Sequence, residues 1–176
     1  MTTEVAKKIT FTEILYSVVI ATALTRLTFE ISLHNGMLLF GVLIILSDYV
    51  EYHVSLAITE ETLPTVRVFL GDITLLLVWN TLVIIPGHLF EWYVVFLIVF
   101  FITQQCWELL AGRYSIQPLL FTPTSGLILA YTAILVPVTF GLVSDHAALM
   151  VCVFLFVLAK LPAWSNAVKF EDQISL

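Results

Sequence analysis

The chain reads as long apolar runs cut by short polar punctuation. A helix needs about 20 apolar residues to cross a bilayer core, and the pattern predicts six such segments: 11–33, 37–58, 66–86, 89–111, 125–143 and 147–161. The interruptions carry turn chemistry: His34-Asn35-Gly36, Glu60 to Pro64, Pro86-Gly87, Gly112 to Pro123, and Ser144-Asp145. The sixth run is short, with Pro162 and Trp164 marking an interfacial end; discarding it gives a five-helix alternative. The runs are continuous rather than alternating in polarity, which argues against a membrane β-barrel. The predicted class is all-α, a single polytopic domain of six transmembrane helices over residues 1–176.

Composition narrows the class further. Hydrophobic residues make up 60% of the chain and charged residues 11%, against about 45–50% and about 25% in soluble domains. The mean hydropathy is +1.04. That balance excludes a soluble enzyme, a disordered chain and a nucleic-acid binder, and makes the lipid bilayer the first partner. Cys106 and Cys152 sit inside apolar runs and read as buried small hydrophobes rather than a disulfide pair. No CxxC or Cys/His cluster announces a metal, and no HExxH or GxSxG announces catalysis. The sequence therefore predicts no metal, no cofactor and no enzyme. No small-residue cleavage site follows the first apolar run, so it reads as a span rather than a signal peptide.

The basic residues test the helix count. With six helices, Lys7, Lys8, Arg67, Arg113, Lys160 and Lys169 all fall at one side, and the opposite loops hold no Lys or Arg. By the positive-inside rule both termini are expected in the cytoplasm. Trp92, Tyr93, Trp107, Tyr114 and Trp164 lie near the expected boundaries, as an aromatic belt would. Arg26, the seventh basic residue, lies inside the first segment.

Polar groups at membrane depth are costly and face a bundle interior or water. At about 1.5 Å per residue, Glu13, Ser17, His53, Asp72 and Glu108 fall in the inner part of the membrane, Arg26 and Glu30 in the outer part, and Asp48, Glu51 and Asn80 between. Ser17, His53, Asp72 and Asn80 are the candidate polar network. It either glues helices together or contains a titrating His53–Asp72 pair. Arg26, Glu30, Asp48 and Glu51 are a candidate charge cluster, in which Arg26 pairs with Glu30 at i,i+4 or with Asp48. Val18, Thr22, Thr25 and Phe29 form one helical stripe. Close packing suits that stripe best on periodicity alone; a narrow pore wall suits it too.

The run Glu13-Ile14-Leu15-Tyr16-Ser17-Val18-Val19-Ile20-Ala21-Thr22-Ala23-Leu24-Thr25 resembles the first helix of the endosomal/lysosomal potassium channel family (transmembrane protein 175 type) and its bacterial relatives. Leu76-Leu77-Val78-Trp79-Asn80-Thr81-Leu82-Val83-Ile84-Ile85-Pro86 is similar to its third helix, and His53 falls where that family has a histidine. The likeness covers mainly the first three segments. It departs at the family's Arg-x-x-x-Phe-Ser-Asp motif, where this chain has Phe11, Leu15, and Val18 or Ser17; Asp72 is placed to supply the missing carboxylate. The resemblance implies a homo-oligomeric, tetrameric cation channel in a prokaryotic plasma membrane, passing monovalent cations along a pore lined by Val18, Thr22, Thr25 and Phe29. Thr22 corresponds to the constriction and Thr25 to the filter hydroxyl, and a threonine neck is wetter than the family's Ile or Leu. Arg26 would then have to turn away from the pore. Two other functions fit the residues: a proton-coupled transporter using His53/Asp72 and Asp48/Glu51, although broken helices would favour it and only Pro137 interrupts a helix centre, or a non-conducting assembly subunit.

Overall fold

A computed structural model describes residues 3–28, 30–58, 66–85, 87–110 and 122–174. Among them lie six α-helices: α1 (Thr3–Arg26), α2 (Leu33–Ile58), α3 (Val66–Ile84), α4 (Phe90–Leu110), α5 (Pro123–Thr139) and α6 (Asp145–Ile174), with a 3-10 turn at Gly87–Leu89. The described residues form helices and short turns, as the apolar runs require. Three helices contain stretches long and apolar enough to cross a membrane: Leu33–Val50, Phe90–Leu109 and Asp145–Pro162. Ile73–Ile84 and Pro123–Thr139 are shorter apolar helices.

Several helix ends differ from the hydropathy reading, and each has a local cause. The first helix stops at Arg26 instead of continuing to Leu33. The side chain of Asn35 holds the following turn: its Oδ1 accepts from the Thr28 amide at 3.2 Å, and its Nδ2 donates to the Thr28 carbonyl at 2.8 Å and to the Glu30 carbonyl. Ser32 Oγ accepts from the Asn35 amide at 3.2 Å, a cap that starts α2 at Leu33. His34-Asn35-Gly36 is therefore the first turn of a helix and not the expected break. The i,i+4 pairing of Arg26 with Glu30 is lost with it, because Glu30 lies beyond the helix.

At α5 the Thr122 side chain caps the start and Pro123 takes the first helical position, two residues before the expected limit. Gly141, at φ +65°, ends the helix ahead of the expected Val143. The Leu142 amide donates to the Pro137 carbonyl at 2.8 Å and the Gly141 amide to Val138 at 2.9 Å, the paired bonds of a Schellman stop. Pro137 thus sits in the last turn rather than breaking a helix centre. α6 continues past Leu161 to Ile174 with Pro162 inside it. Trp164 Nε1 donates to Ser47 Oγ at 3.0 Å, which ties the extension to α2.

The helices pack as a ring in chain order, α2 to α3 to α4 to α5 to α6, closed by α6 against α2, while α1 lies in the groove between α2 and α3. Aromatic side chains fill the middle. Trp79 and Phe100 have ring centroids 5.6 Å apart, Phe101 and Tyr131 5.7 Å, and Phe40 and Phe156 5.6 Å. Polar tips within this core bond to backbone: Tyr93 Oη donates to the Met37 carbonyl and Tyr131 Oη to the Cys152 carbonyl, both at 2.8 Å. The outer surface is the reverse of a soluble protein's, with Leu129 72% and Met150 70% exposed. Bulky apolar side chains outward and hydrogen-bonded polar tips inward are what a hydrocarbon solvent selects.

Gly71 lets α3 approach α4. A Cβ built there would lie 2.6 Å from Cδ1 of the buried Trp107 ring. Gly71→Ala is expected to cost about 1–3 kcal/mol by overpacking, read as a lower unfolding temperature in detergent. Gly126→Ala is the control, since a Cβ there meets nothing within 4 Å, and it should be neutral or mildly stabilising.

Candidate functional site

Among the described residues a polar constellation centres on Asp48 of α2, within the stretch Leu33–Val50 that is long and apolar enough to cross a membrane. Tyr16 Oη, from α1, donates to its Oδ2 at 3.0 Å. Gln104 Nε2, from α4, donates to its Oδ1 at 3.0 Å. Three helices thus meet at one carboxylate. Hydrogen bonds to a charged acceptor contribute about 1.5–3 kcal/mol each, and more is lost when a buried donor is stranded.

Aromatic rings wall the cluster. The Tyr16 ring stands edge-on to Trp79 with centroids 4.9 Å apart, and to Tyr49 at 5.2 Å. Tyr16 and Gln104 are buried, and Asp48 is half-buried. The indole nitrogen of Trp79 and Oε1 of Gln104 are buried without a hydrogen-bond partner among the described residues. The cluster therefore holds a spare donor and a spare acceptor beside a proton-binding group.

A second feature is the outward face of α1. Tyr16, Val19 and Ala23 point into the bundle, whereas Ile14, Ser17, Val18, Ala21, Leu24 and Thr25 are exposed. Thr22 is half-buried at the edge of that face. The two threonines use their hydroxyl protons internally: Thr22 Oγ1 donates to the Val18 carbonyl at 2.8 Å and Thr25 Oγ1 to the Thr22 carbonyl at 2.9 Å. What remains available on each oxygen is lone pairs.

The sequence candidates divide accordingly. Val18 and Thr25 share the exposed face with Thr22 at its rim; Phe29 lies outside the described residues. Ser17 and Asn80 are exposed on α1 and α3, and the side chains of His53, Asp72 and Glu51 lie outside the described residues. Arg26 and Glu30 are exposed beside the α1–α2 turn, and Arg26 makes no ion pair with Glu30 or Asp48 among the described residues. Asp48 is held by Tyr16 and Gln104 instead. Tyr16 and Gln104, which hold that carboxylate, are not among the residues predicted from the sequence. The adjacent amides Gln104-Gln105 inside an apolar run were the available signal. Gln105 is occupied as well, its Nε2 donating to Ser125 Oγ on α5. Lys160, read as a flanking cation, is only 7% exposed within α6.

Among the described residues no group of three or more His, Cys, Asp or Glu side chains is arranged to hold a metal. No family model matches the chain, and neither does any curated protein or any solved structure.

Proposed function

We propose that this chain is a six-span membrane protein with both termini in the cytoplasm, and that copies of it assemble into a cation channel lined by α1, akin to the endosomal/lysosomal potassium channel type. The basic residues Lys7, Lys8, Arg67, Arg113 and Lys169 support the orientation, since six alternating spans would collect them at one side. The observation that carries the channel reading is the outward face of α1. It combines small residues, Ser17 and Ala21, with Thr22 and Thr25. Oxygens whose protons are already donated to backbone present only lone pairs, which favours cations over anions. One α1 cannot enclose a pore, so the reading requires several copies around an axis.

The test is flux into liposomes containing the purified protein. Passive potassium or sodium flux exceeding chloride flux by at least about tenfold is expected from an acceptor-only wall. Equal anion flux, or none of either, would remove the channel reading.

The Tyr16–Asp48–Gln104 cluster favours a second reading, a proton-coupled carrier. A protonated Asp48 would donate to Gln104 once the amide turned its free Oε1 inward. Flux driven by a pH gradient and lost in Asp48→Asn would support the carrier; unaltered flux in that variant excludes it.

A further inference from the structure

The outward strip of α3 contains a group that hydrocarbon does not tolerate. Leu70, Thr74, Leu77, Asn80 and Ile84 are exposed at i+3 and i+4 intervals, while Leu75, Leu76, Trp79, Leu82 and Val83 are buried. Thr74 and the half-exposed Thr81 donate their hydroxyls to the Leu70 and Leu77 carbonyls at 2.8 and 2.9 Å. Thr132 on α5 does the same with the Ile128 carbonyl at 2.7 Å. Such hydroxyls can face lipid because their donor is satisfied within the helix.

Asn80 has no such escape. Its amide offers two N–H donors and a carbonyl acceptor, and it has no hydrogen-bond partner among the described residues. It lies one turn before the end of α3, between the exposed Leu77 and Ile84. An unmet polar group in hydrocarbon costs several kcal/mol. The partner must come from outside the protomer.

We propose that the α3 face around Asn80 docks a second copy of this chain, with the Asn80 amide hydrogen-bonding across the interface. A primary amide is donor and acceptor at once, so a site built on it is self-complementary. α1 packs directly on α3, so copies joined through α3 carry their α1 helices close to one another, as the channel reading requires. The Asn80 amide supplies an interhelical hydrogen bond, one of the terms that hold membrane helices together where apolar burial gives no drive. The opposite side of the ring differs: α5 and α6 expose Leu129, Val136, Met150, Phe154 and Leu158, a bulky apolar surface fit for lipid.

This inference rests on the oligomeric reading and specifies its interface. The test is subunit counting by single-molecule photobleaching in lipid vesicles at graded protein density. Asn80→Leu is expected to weaken assembly about tenfold, with Asn80→Val doing the same and Asn80→Gln restoring it; Thr132→Leu on α5 should change nothing. Loss of assembly in both apolar variants with helix content intact supports the docking face. Wild-type protein that remains single at every density overturns the oligomeric reading itself. Wild-type protein that assembles while Asn80→Leu and Asn80→Val assemble equally well overturns this inference alone, and leaves the face to lipid or another protein.

Discussion

Replacing Thr22 by Trp is expected to reduce cation flux through reconstituted protein by at least about tenfold, because a narrow pore depends on its radius and on the oxygens that replace hydration water. Thr22 sits at the rim of the exposed α1 face and is only half-buried. An indole there can project outward without invading the packing of Tyr16, Val19 and Ala23 on the inner side. The replacement also removes the lone pairs left by the Thr22–Val18 bond. Leu129→Trp is the matched control, since that position is 72% exposed on α5 and should leave flux unchanged. Liposome flux decides the matter: equal loss in both variants points to general damage, and no loss at Thr22 means that α1 does not line the path.

The second large effect is on stability. Asp48→Ala removes the common acceptor of Tyr16 and Gln104. Two buried donors are then stranded, at about 1–3 kcal/mol each, so the loss should reach about 2–6 kcal/mol. Asp48→Asn keeps an acceptor for the Tyr16 hydroxyl and offers an N–H to the free Oε1 of Gln104. Its cost should stay near 1 kcal/mol, a single ordinary hydrogen bond's difference. Unfolding by denaturing detergent measures both. If the two variants unfold alike, the cluster does not hold α1, α2 and α4 together in this way.

The apolar runs located the helices because hydrophobic content is a property of local sequence. The ends were harder, because side chains far from the apolar pattern set them. Nothing in Leu27, Ile31 and Leu33 marks a break, yet Asn35 folds back onto Thr28 and Glu30 and ends the first helix early. Gly141 was a readable stop, since its positive φ suits glycine, and hydropathy alone overran it. Pro162 looked like an end and is not one, because Trp164 finds Ser47 on another helix.

The site shows the same division. Asp48 was legible as a carboxylate at membrane depth. Its partners lie 32 and 56 positions away along the chain, and periodicity is blind to such separations. The stripe Val18, Thr22, Thr25 and Phe29 caught one side of the exposed α1 face. The structure rotates that face to take in Ser17 and Ala21 and turns Thr22 partly inward. A helical pattern gives the stripes, and only neighbouring helices decide which stripe is covered.

The closure of the ring by α6 against α2 also governs how the protein is made. The ribosome delivers α2 before α6, so the flank of α2 on which the Trp164 indole meets Ser47 stays uncovered until α6 has been made. A chain that stops short of α6 leaves that flank of α2 exposed. Among the described helices, α6 is therefore the one whose arrival closes the bundle.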